Sequence, residues 1–138
     1  MFDTLPRVRL ENVELRYEDS LRLLGVQLDC TLSWAPQVKA VTSKVFAAVH
    51  QLKRLRNFLP LPLRTTLVRA LILPILHYCS VVYSDLSEEL DIKLQRSFNC
   101  SIRFIFDARR DAQISPFFDE LRWLKLSSRR QYFMLITL

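Results

Sequence analysis

The sequence predicts an α+β protein that is mostly α: a small N-terminal antiparallel β-sheet or hairpin followed by a bundle of about five helices. Three observations predict it. Apolar residues alternate with period two as far as Leu28 and thereafter recur at spacings of three and four. One glycine and six prolines leave few turn-formers in 138 residues, which argues against an all-β fold with its frequent tight turns. Half of the residues are apolar, enough for a chain of this length to bury a core.

From Arg7 to Tyr17 the alternation changes phase midway: Val8 and Leu10 share one parity, Val13, Leu15 and Tyr17 the other. A turn at Glu11-Asn12 restores a single apolar face, so the segment reads as a hairpin. A second turn at Glu18-Asp19-Ser20 leads to a third strand, Leu21 to Leu28, with Leu24, Val26 and Leu28 on one face and Gly25 opposite. Glycine inside a strand forfeits side-chain packing, so it marks a bulge or a close approach by another backbone or a ligand.

Ser33 can cap a first helix with Pro36 in its opening turn, after which Val38, Val41, Val45, Val49, Leu52 and Leu55 form a stripe ending near Asn57. A second helix starts at about Leu63 and runs to Tyr83, kinked or split by Pro74 because proline removes a backbone donor. Its apolar run from Ala70 to Tyr83 falls short of the ~20 residues that span a bilayer and reads as a buried helix. Asp85 or Ser87 caps the third helix, whose stripe is Leu90, Leu94, Phe98, Ile102 and Ile105. The loop Asp107 to Gln113 precedes a short helix opened by Ser115-Pro116 and a last helix from about Ser127. The last helix is still apolar where the sequence stops, which suggests a fragment. The expected organisation is a β segment, 1–33, and a helical region, 34–138, truncated at both ends.

Charge is distributed unevenly. Residues 1–33 carry four basic and six acidic side chains, residues 85–138 carry nine and eight, and residues 34–84 carry seven basic and none acidic. A solvated face usually mixes signs; a block of cations without a carboxylate is better explained by a polyanionic partner. The N-terminus has no apolar core of signal-peptide length, so an intracellular location, cytoplasmic or nuclear, is expected. Cys30, Cys79 and Cys100 are far apart without a C-x-x-C pair, and read as small buried hydrophobes and not as zinc ligands. No nucleophile elbow, phosphate-binding glycine loop or H-E-x-x-H occurs, and His77, inside an apolar run, reads as a satisfied core histidine.

The order LLGVQLD, TLSW, a basic helix, LILPILHY, KLQRSFNCSIRFIF and RWLKLSSRRQY resembles the C-terminal part of reverse transcriptases from non-long-terminal-repeat retrotransposons, the jockey-like elements especially. The resemblance implies that Leu24 and Gly25 form the primer-grip motif, a turn or hairpin at the edge of the palm, and that the following helices are the thumb. On that likeness, glycine would let the backbone approach the primer strand. The family's catalytic aspartates, an early one and a later pair in a Tyr-Ala-Asp-Asp-like turn, have no counterpart here. The chain is therefore expected to be inactive alone and to hold no cofactor, Mg²⁺ being required only in the complete polymerase.

A thumb grips a template–primer duplex by its backbone, without reading sequence. The candidate phosphate-binding residues are Lys39 and Lys44 on the first helix, Lys53, Arg54 and Arg56 at its end, and Arg64 and Arg69 beyond. Lys93, Arg96 and Arg103 form a second stripe within about 80° on the third helix. Expected partners are an RNA–DNA hybrid or template–primer duplex and the palm and fingers of the parent enzyme, with no membrane. The alternative is a helical protein–protein interaction module derived from a decayed or co-opted retroelement. The aromatics, Trp34, Phe46, Phe58, Phe98, Phe104, Phe106, Trp123 and Tyr132, are expected to pack the core.

Overall fold

A computed structural model describes residues 4–137; residues 1–3 and residue 138, at the outer ends of the two expected segments, lie outside the description. Two separate two-stranded antiparallel hairpins are followed by helices, so the fold is mostly α with a small N-terminal β portion.

In the first hairpin β1 (Val8–Leu10) pairs with β2 (Val13–Leu15), Leu10 opposite Val13, around Glu11 and Asn12. Both turn residues have positive φ, 46° and 70°, the twist that a two-residue hairpin needs. The second hairpin corrects the sequence reading. In place of one strand from Leu21 to Leu28 there are two, β3 (Ser20–Leu23) and β4 (Val26–Asp29), joined by Leu24-Gly25. Leu24 (φ 48°) and Gly25 (φ 85°) form the same kind of turn as Glu11-Asn12. The glycine is thus at a hairpin tip, where its backbone freedom is used directly. Its neighbour is Tyr78, whose ring carbon Cε1 lies 3.5 Å from where a Cβ would stand. The Tyr78 hydroxyl donates to the Leu24 carbonyl at 2.6 Å, pinning the tip to the helical body.

The strands add little to the core. Residues 4–23 are exposed throughout, and Val26 is the strand residue that is buried. β4 is tied to the first helix through the Gln27 amide, which donates to Oε1 of the buried Gln37 at 2.9 Å.

Helix α1 spans Ala35–Arg54 and buries Val38, Val41, Val45, Val49 and Leu52, the predicted stripe; Leu55, outside the helix, is exposed. Its N-cap is Trp34 in a left-handed conformation, not Ser33. The Asp29 carboxylate organises this entry instead, accepting the Ser33 hydroxyl at 2.8 Å, the Ser33 and Trp34 amides at 3.3 Å and the Thr31 hydroxyl. A 3-10 turn, Arg56–Phe58, follows.

Helix α2 (Leu61–Leu67) begins two residues earlier than expected because Pro62 falls in its first turn, where a missing amide hydrogen costs nothing. A π-helical stretch, Val68–Ile72, joins it to α3 (Leu73–His77). This is how the rod accommodates Pro74: the widened turn relieves the clash between a proline ring and the preceding carbonyls. The rod stops at His77, and Tyr78 to Tyr83 form turns in place of the expected helical extension, leaving Tyr78 and Val82 exposed.

Helix α4 (Glu88–Phe106) starts at Ser87, whose hydroxyl accepts the Leu90 amide at 3.5 Å, with Glu88, Glu89 and Asp91 in the first turn complementing the helix dipole. Its whole predicted stripe is buried, Phe98, Ile102 and Ile105 completely. Short α5 (Ser115–Leu121) and α6 (Leu126–Thr137) close the fold. Gln95 bridges to α6 by accepting the Leu126 amide at 2.9 Å, and the largely buried Arg130 pairs with Asp91. Phe98 stacks on Trp123 at 6.0 Å and meets Phe118 edge-on at 5.4 Å.

Scarcity of glycine has a structural cost. Eight described residues other than glycine adopt positive φ, Asp107 and Arg122 as helix C-caps among them. Arg122→Gly should therefore stabilise the protein by about 1 kcal/mol, read as a raised urea midpoint at unchanged slope, because exposed Arg122 has a strained backbone at φ 53°. Gly25→Val should instead open the second hairpin, with loss of amide-exchange protection in β3 and β4 while the far-ultraviolet helical signal stays constant. Retained protection would contradict the turn assignment.

Candidate functional site

Helices α1 and α4 pack side by side and run in the same direction, and the buried apolar stripes that hold them together determine which side chains stand at the seam's outer edge. On α1 these are Lys39, Thr42, Phe46 and Lys53; on α4 they are Lys93, Arg96, Cys100 and Arg103. Spacings of three, four and seven return to the same helix face, so each set forms a ridge.

Two hollows lie along the seam. One, of about 640 Å³, is flanked by Lys39, Lys93 and Arg96 with no carboxylate in its lining. The other, of about 690 Å³, is lined by Lys53, Arg56, Arg96, Arg103 and Arg110, with Asp107 the one acid. They share Phe46 and Arg96, so they form one continuous groove. Phe46 is half exposed on its rim, against the expectation that it packs the core.

The cations differ in how far the protein already uses them. Among the described residues Lys39, Lys53, Arg96 and Arg110 have no acidic or hydrogen-bonding partner. Lys93 donates to Glu89 at 2.6 Å, one helical turn away, and that contact lowers the Glu89 carboxyl below its usual pKa. Arg56 bonds Asp107 at 2.6 Å. Both pairs are solvent-exposed, where an ion pair contributes little to stability and exchanges readily for another anion. Arg103 is half-buried: one terminal nitrogen makes a long contact of 3.5 Å to the Ala112 carbonyl, and its buried Nε–H has no acceptor among the described residues.

Four predicted residues lie elsewhere. Arg54 is exposed beside this groove's end without lining it. Lys44 faces a smaller hollow of about 360 Å³ beneath the second hairpin, with Arg22, Gly25, Gln27 and Tyr78. Arg64 is structural: it donates to the Leu59 carbonyl at 2.7 Å and the Ile105 carbonyl at 3.0 Å, satisfying the C-terminal end of α4. Arg69 lies against the ring of Trp123, 5.8 Å from its centre. Arg110 lines the groove and Arg22 the smaller hollow, although neither is among the residues expected from sequence.

The cysteines and several aromatics depart from expectation. Cys30 is exposed, Cys79 and Cys100 are half-buried, and all three are free thiols. Phe58 and Tyr132 are exposed: Phe58 is the last residue of a 3-10 turn and Tyr132 sits on the outer face of α6. His77 is half-buried, 5.0 Å edge-on to Phe133 and 3.4 Å from a terminal nitrogen of Arg129. Among the described residues no group of three or more histidine, cysteine or acidic side chains could hold a metal, and no helix is long and apolar enough to cross a membrane.

Comparison with protein-family models, curated proteins and solved structures finds no match to this chain.

Burial, and secondarily Arg129, lowers the His77 pKa from 6.5 to about 4. The unfolded chain then binds this proton near pH 6.5 and the folded chain only near pH 4, so the unfolded state holds more protons between those values. Stability present above pH 6.5 is lost as the pH falls through that window. His77→Gln should flatten the decline, measured as the urea midpoint across the same pH range. A decline equally steep in variant and parent would contradict this.

Proposed function

We propose that the chain is a thumb-like fragment of an RNA-directed DNA polymerase of a mobile element, and that it holds a template–primer duplex by its phosphates. The observation that carries the reading is the convergence of Lys39, Lys53, Arg56, Lys93, Arg96 and Arg103, drawn from α1, the 3-10 turn after it and the distant α4, on one groove. Cations placed only to complement helix dipoles would cluster in the last turns. Lys53, Arg56 and Arg103 fit that description, but Lys39, Lys93 and Arg96 do not, since they lie in the first halves of their helices.

Such a groove recognises charge and shape. Arginine offers bidentate donors to phosphate oxygens and lysine a mobile point charge, and neither distinguishes bases at the backbone. The Leu24-Gly25 turn fits a primer-grip role in the same reading. Leu24 is 85% exposed at a tip held in place by Tyr78, with Arg22 and Lys44 beside it for a neighbouring phosphate. The polymerising step, which needs carboxylate-held Mg²⁺, belongs to the palm of the parent enzyme.

A second reading, a helical module that docks another protein, is favoured by one observation. Leu10, Val13, Leu21 and Leu23 of the hairpins and Leu135 and Ile136 of α6 are each more than half exposed. Ionic strength separates the two, because apolar docking responds weakly to salt while counterion release responds steeply.

If about four phosphates are neutralised, affinity for an RNA–DNA hybrid should fall roughly 10²-fold between about 50 and about 200 mM salt. Combined Lys53→Glu and Arg96→Glu should weaken binding by about tenfold or more and reduce the salt slope by about 2, whereas Lys125→Glu, outside the groove, should leave both unchanged. Filter binding at two salt concentrations measures this, with circular dichroism to check the fold. Equal affinity of the double variant and the parent would overturn the groove assignment, and salt-independent binding to protein alone would favour the second reading.

A further inference from the structure

A separate cationic hollow of about 440 Å³ lies between α3 and α6, lined by Arg69, Leu73, Pro74, His77, Trp123 and Arg129. The guanidinium carbons of Arg69 and Arg129 stand 5.8 and 5.6 Å from the centre of the same indole ring. Two like charges are thus held around one aromatic group, and no carboxylate lines the hollow. Elsewhere Arg56 and Arg130 have aspartate partners, and Arg64 has backbone carbonyls.

The pair is built, not incidental. Arg129 is anchored by donation from Nε to the Leu124 carbonyl at 3.1 Å and lies 5.8 Å over Phe98; Nη1 stands 3.4 Å from His77 Nε2, and Nη2 has no partner among the described residues. Arg69 has no hydrogen-bond or ion-pair partner among the described residues. Both the burial of Arg129 and the proximity of Arg69 lower the Arg129 pKa, so holding the pair together carries an electrostatic cost. His77 completes the wall, and the charged groups facing it are these two arginines.

The geometry points to a phosphate-binding site formed by Arg69, Arg129 and His77 around Trp123. Two guanidiniums converging on one hollow supply several N–H donors to a tetrahedral oxyanion, and the anion removes the repulsion between them. An occupied site also favours protonation of His77, reversing the effect of Arg129. This assignment does not depend on the α1–α4 groove. The phosphate can belong to a small molecule or to a nucleic-acid backbone, and the chemistry at the arginines is shared.

The test follows the Trp123 indole N–H resonance in the whole chain, assigned with Trp123→Phe, during titration with inorganic phosphate in a phosphate- and sulfate-free buffer. A saturable shift is expected, weakened about tenfold or more in Arg69→Gln and in Arg129→Gln but unchanged in Lys53→Glu. The His77 pKa, followed through its ring protons, should rise when phosphate is present, which a merely structural cluster would not produce. A short oligonucleotide without terminal phosphates identifies the source: the same shift assigns the site to backbone diesters, and its absence assigns it to free or terminal phosphates. No saturable shift with either probe, or one that survives both arginine substitutions, would overturn the site.

Discussion

The helical body of this molecule is arranged around the contact between α1 and α4. Val38, Val41, Val45 and Val49 on one side and Leu94, Phe98, Ile102 and Ile105 on the other are almost wholly removed from water. Burying side chains of this size contributes about 1.5–3 kcal/mol each, set against the conformational entropy lost on folding. The two helices are joined by a return rod, α2, the π-helical stretch and α3, whose Val68, Ile72, Leu73 and Leu76 complete the same core. Because the seam fixes the rotation of each helix, it also fixes which polar side chains line its outer edge. The cationic groove is in that sense a by-product of core packing: once the valines face inward, Lys39 and Lys53 have no other place to stand.

The parts of the fold legible in the sequence are those encoded by short-range periodicity. The stripes of α1 and α4 could be read directly, because three- and four-residue spacing repeats along nineteen or twenty residues. A change of parity exposed the first hairpin. The same change occurs between Leu23 and Val26, yet Leu23-Leu24 is continuous in apolar character and concealed it; only the lone glycine hinted at the turn. The expected start at about Leu63 lies just past Pro62, although a proline in the first turn favours a helix.

The candidate site was legible in composition more than in position. An acid-free block of seven cations announced a cationic surface, and the third-helix stripe supplied the opposing ridge. What the sequence did not reveal were partners distant along the chain. Arg64 reaches the end of α4 across forty-one residues, and Arg56 meets Asp107 across fifty-one, so one cation became structural and another shared. The arginine pair at Trp123 was invisible for the same reason, since Arg69 and Arg129 are brought together only when α6 closes on the rod.

The π-helical stretch Val68–Ile72 acts as a phase shifter. A turn that takes in an additional residue offsets everything downstream by one place, about 100° around the axis. Arg69 lies inside the stretch and His77 beyond it, so the angle between them is set by this irregularity and not by their separation in sequence. Were the rod a regular α-helix, its two ends could not both present their present faces to α4 and α6 at once. A backbone irregularity that first answers the needs of a proline thereby acts as a vernier, setting the azimuth of one half of a helix against the other.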